Sequence, residues 1–299
     1  MKGCGRVRSV GRALDSPVVF PDNLNMRDPE SLHKRQAAYA GTFYPSSGRE
    51  IREMFERWAP ERKPIPGLVG LVLPHAGYQY SGAVAAAGYR SISEGTKRVI
   101  LVGPSHHYPV SGIAIWNEGP WETPLGDVPI DLDLVESLMK TGIFHPDPRP
   151  FLPEHSLEVH LPFISHFLPS SAVVPMIAGG LQSHYLEEAA EAIRGLISKD
   201  TVLIASSDLY HGYSYEECVA QDRETLSWIN RINGKEFLLA ARQRKVMACG
   251  DNAIALLLET VSGLSGSDSE ILLYTNSAEI TGTYTGYVVG YAAVAFTAR

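Results

Sequence analysis

Five short apolar runs constrain this 299-residue chain more than any other feature. "GLVGLVLP" (67–74), "RVILVGP" (98–104), "AVVPMIAGG" (172–180), "TVLIASSD" (201–208) and "YVVGYAAVAF" (287–296) are rich in β-branched residues and mostly closed by Gly, Pro or Ser. Continuous apolar runs of this length read as strands buried on both faces. Between them lie segments with helical spacing: "GREIREMFERWA", "LDLVESLMKTG", "LEEAAEAIRGLIS", "ECVAQDRETLSWINRI" and "NAIALLLETVSG". Alternating strands and helices predict an α/β fold built on a mainly parallel sheet covered by helices. Residues 1–30 show no sustained periodicity and read as an N-terminal extension. No linker, repeat or low-complexity tract divides residues 31–299, which are expected to form one domain.

Composition narrows the function classes. A hydrophobic share of 44% with 20% charged residues is that of a soluble globular protein. The net charge of −7 argues against nucleic acid as a partner, because phosphate contacts need clustered Lys and Arg. No apolar run approaches the roughly 18 residues of a membrane span, and residues 1–20 hold no continuous apolar segment of signal-peptide length. Neither a membrane partner nor export is therefore expected. Cys4, Cys218 and Cys249 are too few and odd in number for a disulfide framework, so the expected home is the reducing cytoplasm.

Three of the ten histidines share a context. "LVLPH" ends in His75, "LVGPSH" in His106, and "LIASSDLYH" reaches His211 past Asp208. A lone histidine after a strand is ordinarily a loop residue or a core imidazole bonded to a carbonyl. Three recurrences with a carboxylate among them point elsewhere. Ligands of parallel sheets bind beyond the carboxyl ends of the strands, so His75, His106 or His107, Asp208 and His211 can converge there. Imidazoles with a carboxylate suit a transition metal such as non-haem iron.

Two further segments bear on the site. In "PEHSLEVHLPF" (153–163), helical spacing would place His155 and Glu158 on one face, either as ligand and supporting carboxylate or as an ordinary solvated face. Cys249 stands just before a helical run in "VMACGDNAIALL", where Asp251 or Asn252 would cap the helix. A thiol in that position tends toward thiolate, although a buried structural cysteine is the ordinary alternative. Phosphate-loop, H-E-x-x-H and G-x-S-x-G patterns are absent.

The motifs "AGTFYP", "PHAGYQYSG", "GPSHHYP", "TPLGD", "EHSLEVHLPF", "SSDLYH" and "ACG" occur in an order that resembles the Memo family. That family is similar to the LigB-like class III extradiol dioxygenases. The resemblance runs from about Arg35 to Phe296 and implies a mainly parallel mixed sheet flanked by helices. It also implies a metal pocket ligated by His75, His106 and Cys249, with His211, Asp208 and His155 as catalytic groups, Glu158 close by and His107 supporting. In an oxygenase, Tyr78, Trp121 and Tyr210 would wall the pocket, plain core packing being the equal alternative for each. The implied metal is iron or copper, with zinc also compatible with such donors. Prokaryotic members resemble component B of the AmmeMemoRadiSam system, which implies radical-SAM and Ammecr-type partners. Two functions follow: a dioxygenase-like oxidoreductase acting on a small or peptide-derived substrate, or a non-catalytic metal- or peptide-binding adaptor.

Overall fold

A computed structural model describes residues 33–59 and 61–299. The N-terminal extension expected over residues 1–30, with Cys4, lies outside the described residues. The strands are β1 (Leu68–Leu73), β2 (Arg98–Gly103), β3 (Gly112–Ile115), β4 (Phe144–Pro146), β5 (Ala172–Gly179), β6 (Thr201–Ser206), β7 (His211–Gly212), β8 (Asp268–Asn276) and β9 (Val288–Thr297). The helices are α1 (Gly48–Trp58), α2 (Tyr78–Tyr89), α3 (Leu132–Met139), α4 (Leu161–Phe167), α5 (Ser183–Arg194), α6 (Tyr215–Ile229), α7 (Gly234–Arg242), α8 (Asp251–Ser262) and α9 (Ser277–Thr281).

All five apolar runs are strands of one mixed sheet, ordered β4-β3-β5-β2-β6-β1-β9-β7, with β8 added on β9. The centre β5-β2-β6-β1 is parallel, and β9 joins β1 antiparallel. Register aligns Gly70–Leu73 of β1 with Leu203–Ser206 of β6. The residues that follow these two strands, from Pro74 and Ser207, therefore emerge side by side. This brings His75 and Asp208 together across 133 positions of sequence: the Ser207 amide donates to Leu73 O at 2.8 Å, and the His75 amide to Asp208 Oδ1 at 2.9 Å.

Each sheet face carries its own apolar layer. One gathers α5, α7 and α8 over Val72, Ile100, Val102, Val174 and Met176; the other gathers α1, α2 and α4 over Leu71, Leu73, Val99, Leu101 and Val173. The alternation along β1 and β2 is that of strands buried on both faces. Helix α2 can lie close because its glycines leave room. A Cβ at Gly82 would stand 2.4 Å from the Trp58 ring, and one at Gly88 2.2 Å from Leu73 Cδ2. Among the described residues, no helix is long and apolar enough to cross a membrane.

Candidate metal centre

The loops that leave β1, β2 and β6 meet the 153–160 segment at the carboxyl edge of the parallel strands. Three imidazoles converge there. His75, His106 and His155 each offer one nitrogen, and the three nitrogens lie within 4.8 Å of one another. The rings of His106 and His155 stack at 4.5 Å between centroids, and His75 stands edge-on to both, at 5.3 and 5.4 Å.

Two of the rings are hydrogen-bonded from behind, and the third lies beside a carboxylate. Nδ1 of His75 contacts Ser206 Oγ at 2.7 Å, while Nδ1 of His106 and Nδ1 of His155 lie 2.9 and 3.3 Å from Glu154 Oε1. With Nδ1 of His75 and His106 carrying the hydrogen, their Nε2 atoms keep a lone pair for the pocket, the arrangement seen behind metal-bound histidines. Glu154 also accepts the His106 amide on Oε2 at 2.5 Å and the Ser156 amide on Oε1 at 2.9 Å. Burial works to raise its carboxyl, but these hydrogen bonds outweigh it and bring Glu154 down to about 2. It is therefore an anion at neutral pH. Burial also lowers His155 to about 4 against the opposing pull of Glu154, and holds His75 well below 6.5 with the help of neighbouring imidazoles. Both stay neutral, as a ligand must.

Cys249 touches this group from one side. Its Sγ lies 3.2 Å from His75 Nε2, accepts the Asp208 amide at 3.2 Å, and is 3.6 Å from Asp208 O. Against the expected thiolate character, burial, with the Asp208 carboxyl next in effect, pushes the thiol up. The expected cap also differs. Gly250 is the N-cap of α8 and supplies no side-chain bond, while Asn252 Oδ1 accepts the Leu181 amide instead. A Cβ at Gly250 would fall 2.3 Å from Ser206 O, so the tight turn that brings Cys249 to the pocket requires glycine.

Asp208 is buried, and burial raises its carboxyl to about 7 against the His75 and Ala76 amides that pull it down. His211 presents Nδ1 to Leu209 O at 2.9 Å, which leaves its Nε2 free; burial lowers its pKa. His107 is exposed, with Nε2 3.3 Å from Tyr39 OH, and is not among the converging imidazoles.

Glu158 departs from expectation. The segment is a 3-10 turn over Glu158–His160 rather than an α-helix, and the Glu158 carboxylate is taken up by residues 35–44. It is fully buried against Arg35 Nη1 at 2.6 Å, and also accepts the Ala38 and Tyr39 amides and the Tyr44 hydroxyl. Its carboxylate ties residues 35–44 to the body. The expected aromatic wall also lies elsewhere. Tyr78 donates to Val159 O in the core, Trp121 packs on Trp116 and Phe151, and Tyr210 donates to Glu217. Phe43, at 4.5 Å from the His155 ring, is the aromatic that lies against the site.

The donor set is compatible with the metal that the resemblance implies: three converging imidazoles, two of them hydrogen-bonded at Nδ1, a thiol at one edge and a carboxyl behind. A profile of the Memo-like proteins matches residues 35–295. The chain belongs to the Memo family. A Memo-family protein of Methanopyrus kandleri is 34% identical over 281 residues, covering 88% of this chain and 99% of its own. One from Sulfolobus acidocaldarius is 34% identical over 283 residues, with 88% and 99% covered. One from Aquifex aeolicus is 31% identical over 270 residues, with 89% and 100% covered. A crystal structure of an uncharacterized Escherichia coli protein is similar over 75% of this chain at 12% identity, with a TM-score of 0.49.

Three contributors to this Memo-family site were not singled out from the sequence: Glu154, Ser206 and His160. Glu154 had a signal, since it directly precedes His155, but its role depends on His106 being 48 residues away in sequence and adjacent in space. Ser206 reads in sequence as a turn-shaping residue. His160 lies fully buried, with Nε2 2.9 Å from Ser206 Oγ.

Proposed function

We propose that this Memo-family chain binds a transition metal, iron or copper, and works as a non-haem metal oxidoreductase on a small or peptide-derived substrate. The observation that carries the reading is the convergence of three imidazole nitrogens within 4.8 Å, with the His75 and His106 rings hydrogen-bonded at Nδ1. His75 and His106 would hold the metal, with Cys249 or His155 as the third donor. Imidazole suits iron, copper and zinc alike, and a thiolate donor adds preference for the softer ions. A metal held there supplies redox chemistry and a Lewis-acidic position, and binding it would require the Cys249 thiol to lose its proton.

The chain's own residues supply the rest. Glu154 orients two imidazoles at once and contributes a negative charge behind them. Asp208, with a pKa near neutrality, is able to hold or release a proton at its carboxyl. His211 offers a neutral Nε2 as a second proton acceptor. Phe43 packs against the His155 ring.

The test is oxygen uptake by anaerobically purified protein loaded with Fe(II), Cu(I) or Zn(II), offered phenolic and peptide substrates. Metal-dependent uptake that disappears in Cys249→Ala and in Asp208→Asn supports the oxidoreductase. Tight metal binding with no turnover on any substrate contradicts it and favours the adaptor.

A further inference from the structure

Ser206, the last residue of β6, has no exposed surface and sits between two imidazoles. Its Oγ lies 2.7 Å from His75 Nδ1, 2.9 Å from His160 Nε2 and 2.6 Å from the carbonyl oxygen of Ser156. A hydroxyl has one hydrogen and two lone pairs. The carbonyl only accepts, so the hydroxyl hydrogen goes to Ser156 O. Both imidazole nitrogens must then carry hydrogens and donate to the two lone pairs. Any other assignment sets lone pair against lone pair at under 3 Å in a dry site, leaving a buried polar group unmatched. From the far side, Tyr89 OH lies 3.1 Å from His160 Nδ1, which is then an acceptor for the phenol hydrogen. Hydrogens and lone pairs match at every contact of this buried chain.

We infer that Ser206 is a positioning residue that sets the tautomer of His75. It holds the hydrogen on Nδ1 and turns the lone pair of Nε2 toward the pocket. The Ser156 carbonyl fixes the direction of its own hydrogen, and His160 and Tyr89 complete the match. The other two converging rings have their Nδ1 atoms beside an anion, Glu154, which itself favours hydrogen on the facing nitrogen. His75 has only a neutral hydroxyl behind it, and a hydroxyl free to rotate would accept either tautomer. The constraint comes from the Ser156 carbonyl, which removes the choice. The consequence for ligation rests on the metal reading above; the tautomer itself does not.

The experiment uses full-length, metal-free protein labelled with ¹⁵N at histidine, with long-range proton–nitrogen spectra to read each ring's tautomer. The wild type is expected to show His75 protonated at Nδ1 alone and His160 at Nε2 alone. In Ser206→Ala, His75 should acquire the Nε2-protonated form, and affinity for Zn(II), the probe metal, should fall about 10–100-fold. Ser206→Thr, which keeps a hydroxyl, should restore both. In His160→Phe the Ser156 carbonyl still claims the hydroxyl hydrogen, so His75 should stay protonated at Nδ1. A merely structural role for Ser206 would lower stability without moving the tautomer.

A wild-type spectrum with hydrogen on His75 Nε2 overturns the inference, whether or not Ser206→Ala folds. So does an unchanged His75 spectrum in folded Ser206→Ala. Nδ1 protonation in a wild type that binds none of Zn(II), Fe(II) and Cu(I) removes the metal reading and leaves the tautomer assignment standing. Zn(II) binding with the opposite tautomer does the reverse.

Discussion

Glu154 and Glu158 lie four residues apart on one segment, and neither has any exposed surface. Glu158 faces a guanidinium, two backbone amides and a phenol, all of them fixed donors that belong to residues 35–44. Glu154 faces two imidazoles and two backbone amides at the pocket. Both are matched buried anions, yet one fastens a loop and the other orients candidate ligands. The residue type does not distinguish them. What faces each carboxylate does: the second stands at the start of the 3-10 turn and meets residues 35–44.

Disrupting the pair at Glu158 should give the largest effect. Glu158→Ala leaves Arg35 as an uncompensated buried charge, which costs about 3–5 kcal/mol of stability. Chemical denaturation reads this, and metal affinity of the folded protein should be unchanged. Glu154→Gln should show the opposite profile. Removing the anion behind His106 and His155 should weaken metal binding about 10–100-fold, by competition titration against a chelator, with a smaller loss of stability. If the two profiles coincide, the division of labour is wrong.

The acid limb of stability sharpens the same contrast. Burial lowers His160 to about 3, so between pH 6.5 and 3 the unfolded chain takes up a proton that the folded one refuses. Stability should fall across that window by about 1.4 kcal/mol per pH unit for this group. Glu154 acts in a lower window, because its stabilisation is present above 4.5 and lost as the pH falls toward 2. His160→Gln should make the fall of the denaturation midpoint between pH 6 and 4.5 shallower by this one group's share, the other lowered histidines keeping theirs, and Glu154→Gln should make it shallower only below 4.5. The smallest effect belongs to the exposed His107: His107→Ala should change stability by less than about 0.5 kcal/mol and leave metal affinity as it is.

Much of the fold is legible in the chain because the central strands are buried on both faces and so appear as unbroken apolar runs. The strands that escape are the marginal ones. β3 and β4 are only four and three residues long, and β7 only two. β8 mixes polar and apolar residues in "DSEILLYTN" because it pairs with β9 alone, and Ile271 and Leu273 are exposed. For the site, the strand-end rule explains why His75, His106 and Asp208 stand at one edge. His155 converges through a turn that no periodicity announces. Glu154, Ser206 and His160 escape notice because their roles are pairings across 46 to 131 positions, visible only once β1 and β6 are set side by side.

The most direct test of the central claim is the metal content of protein purified without oxygen or chelators, with His75→Ala, His106→Ala, His155→Ala and Cys249→Ala in parallel. The account predicts near-stoichiometric iron or copper in the wild type and its loss in His75→Ala and His106→Ala. Loss in Cys249→Ala or in His155→Ala identifies the third donor. A wild type that holds no metal, even after reconstitution with Fe(II), Cu(I) and Zn(II), would contradict the account.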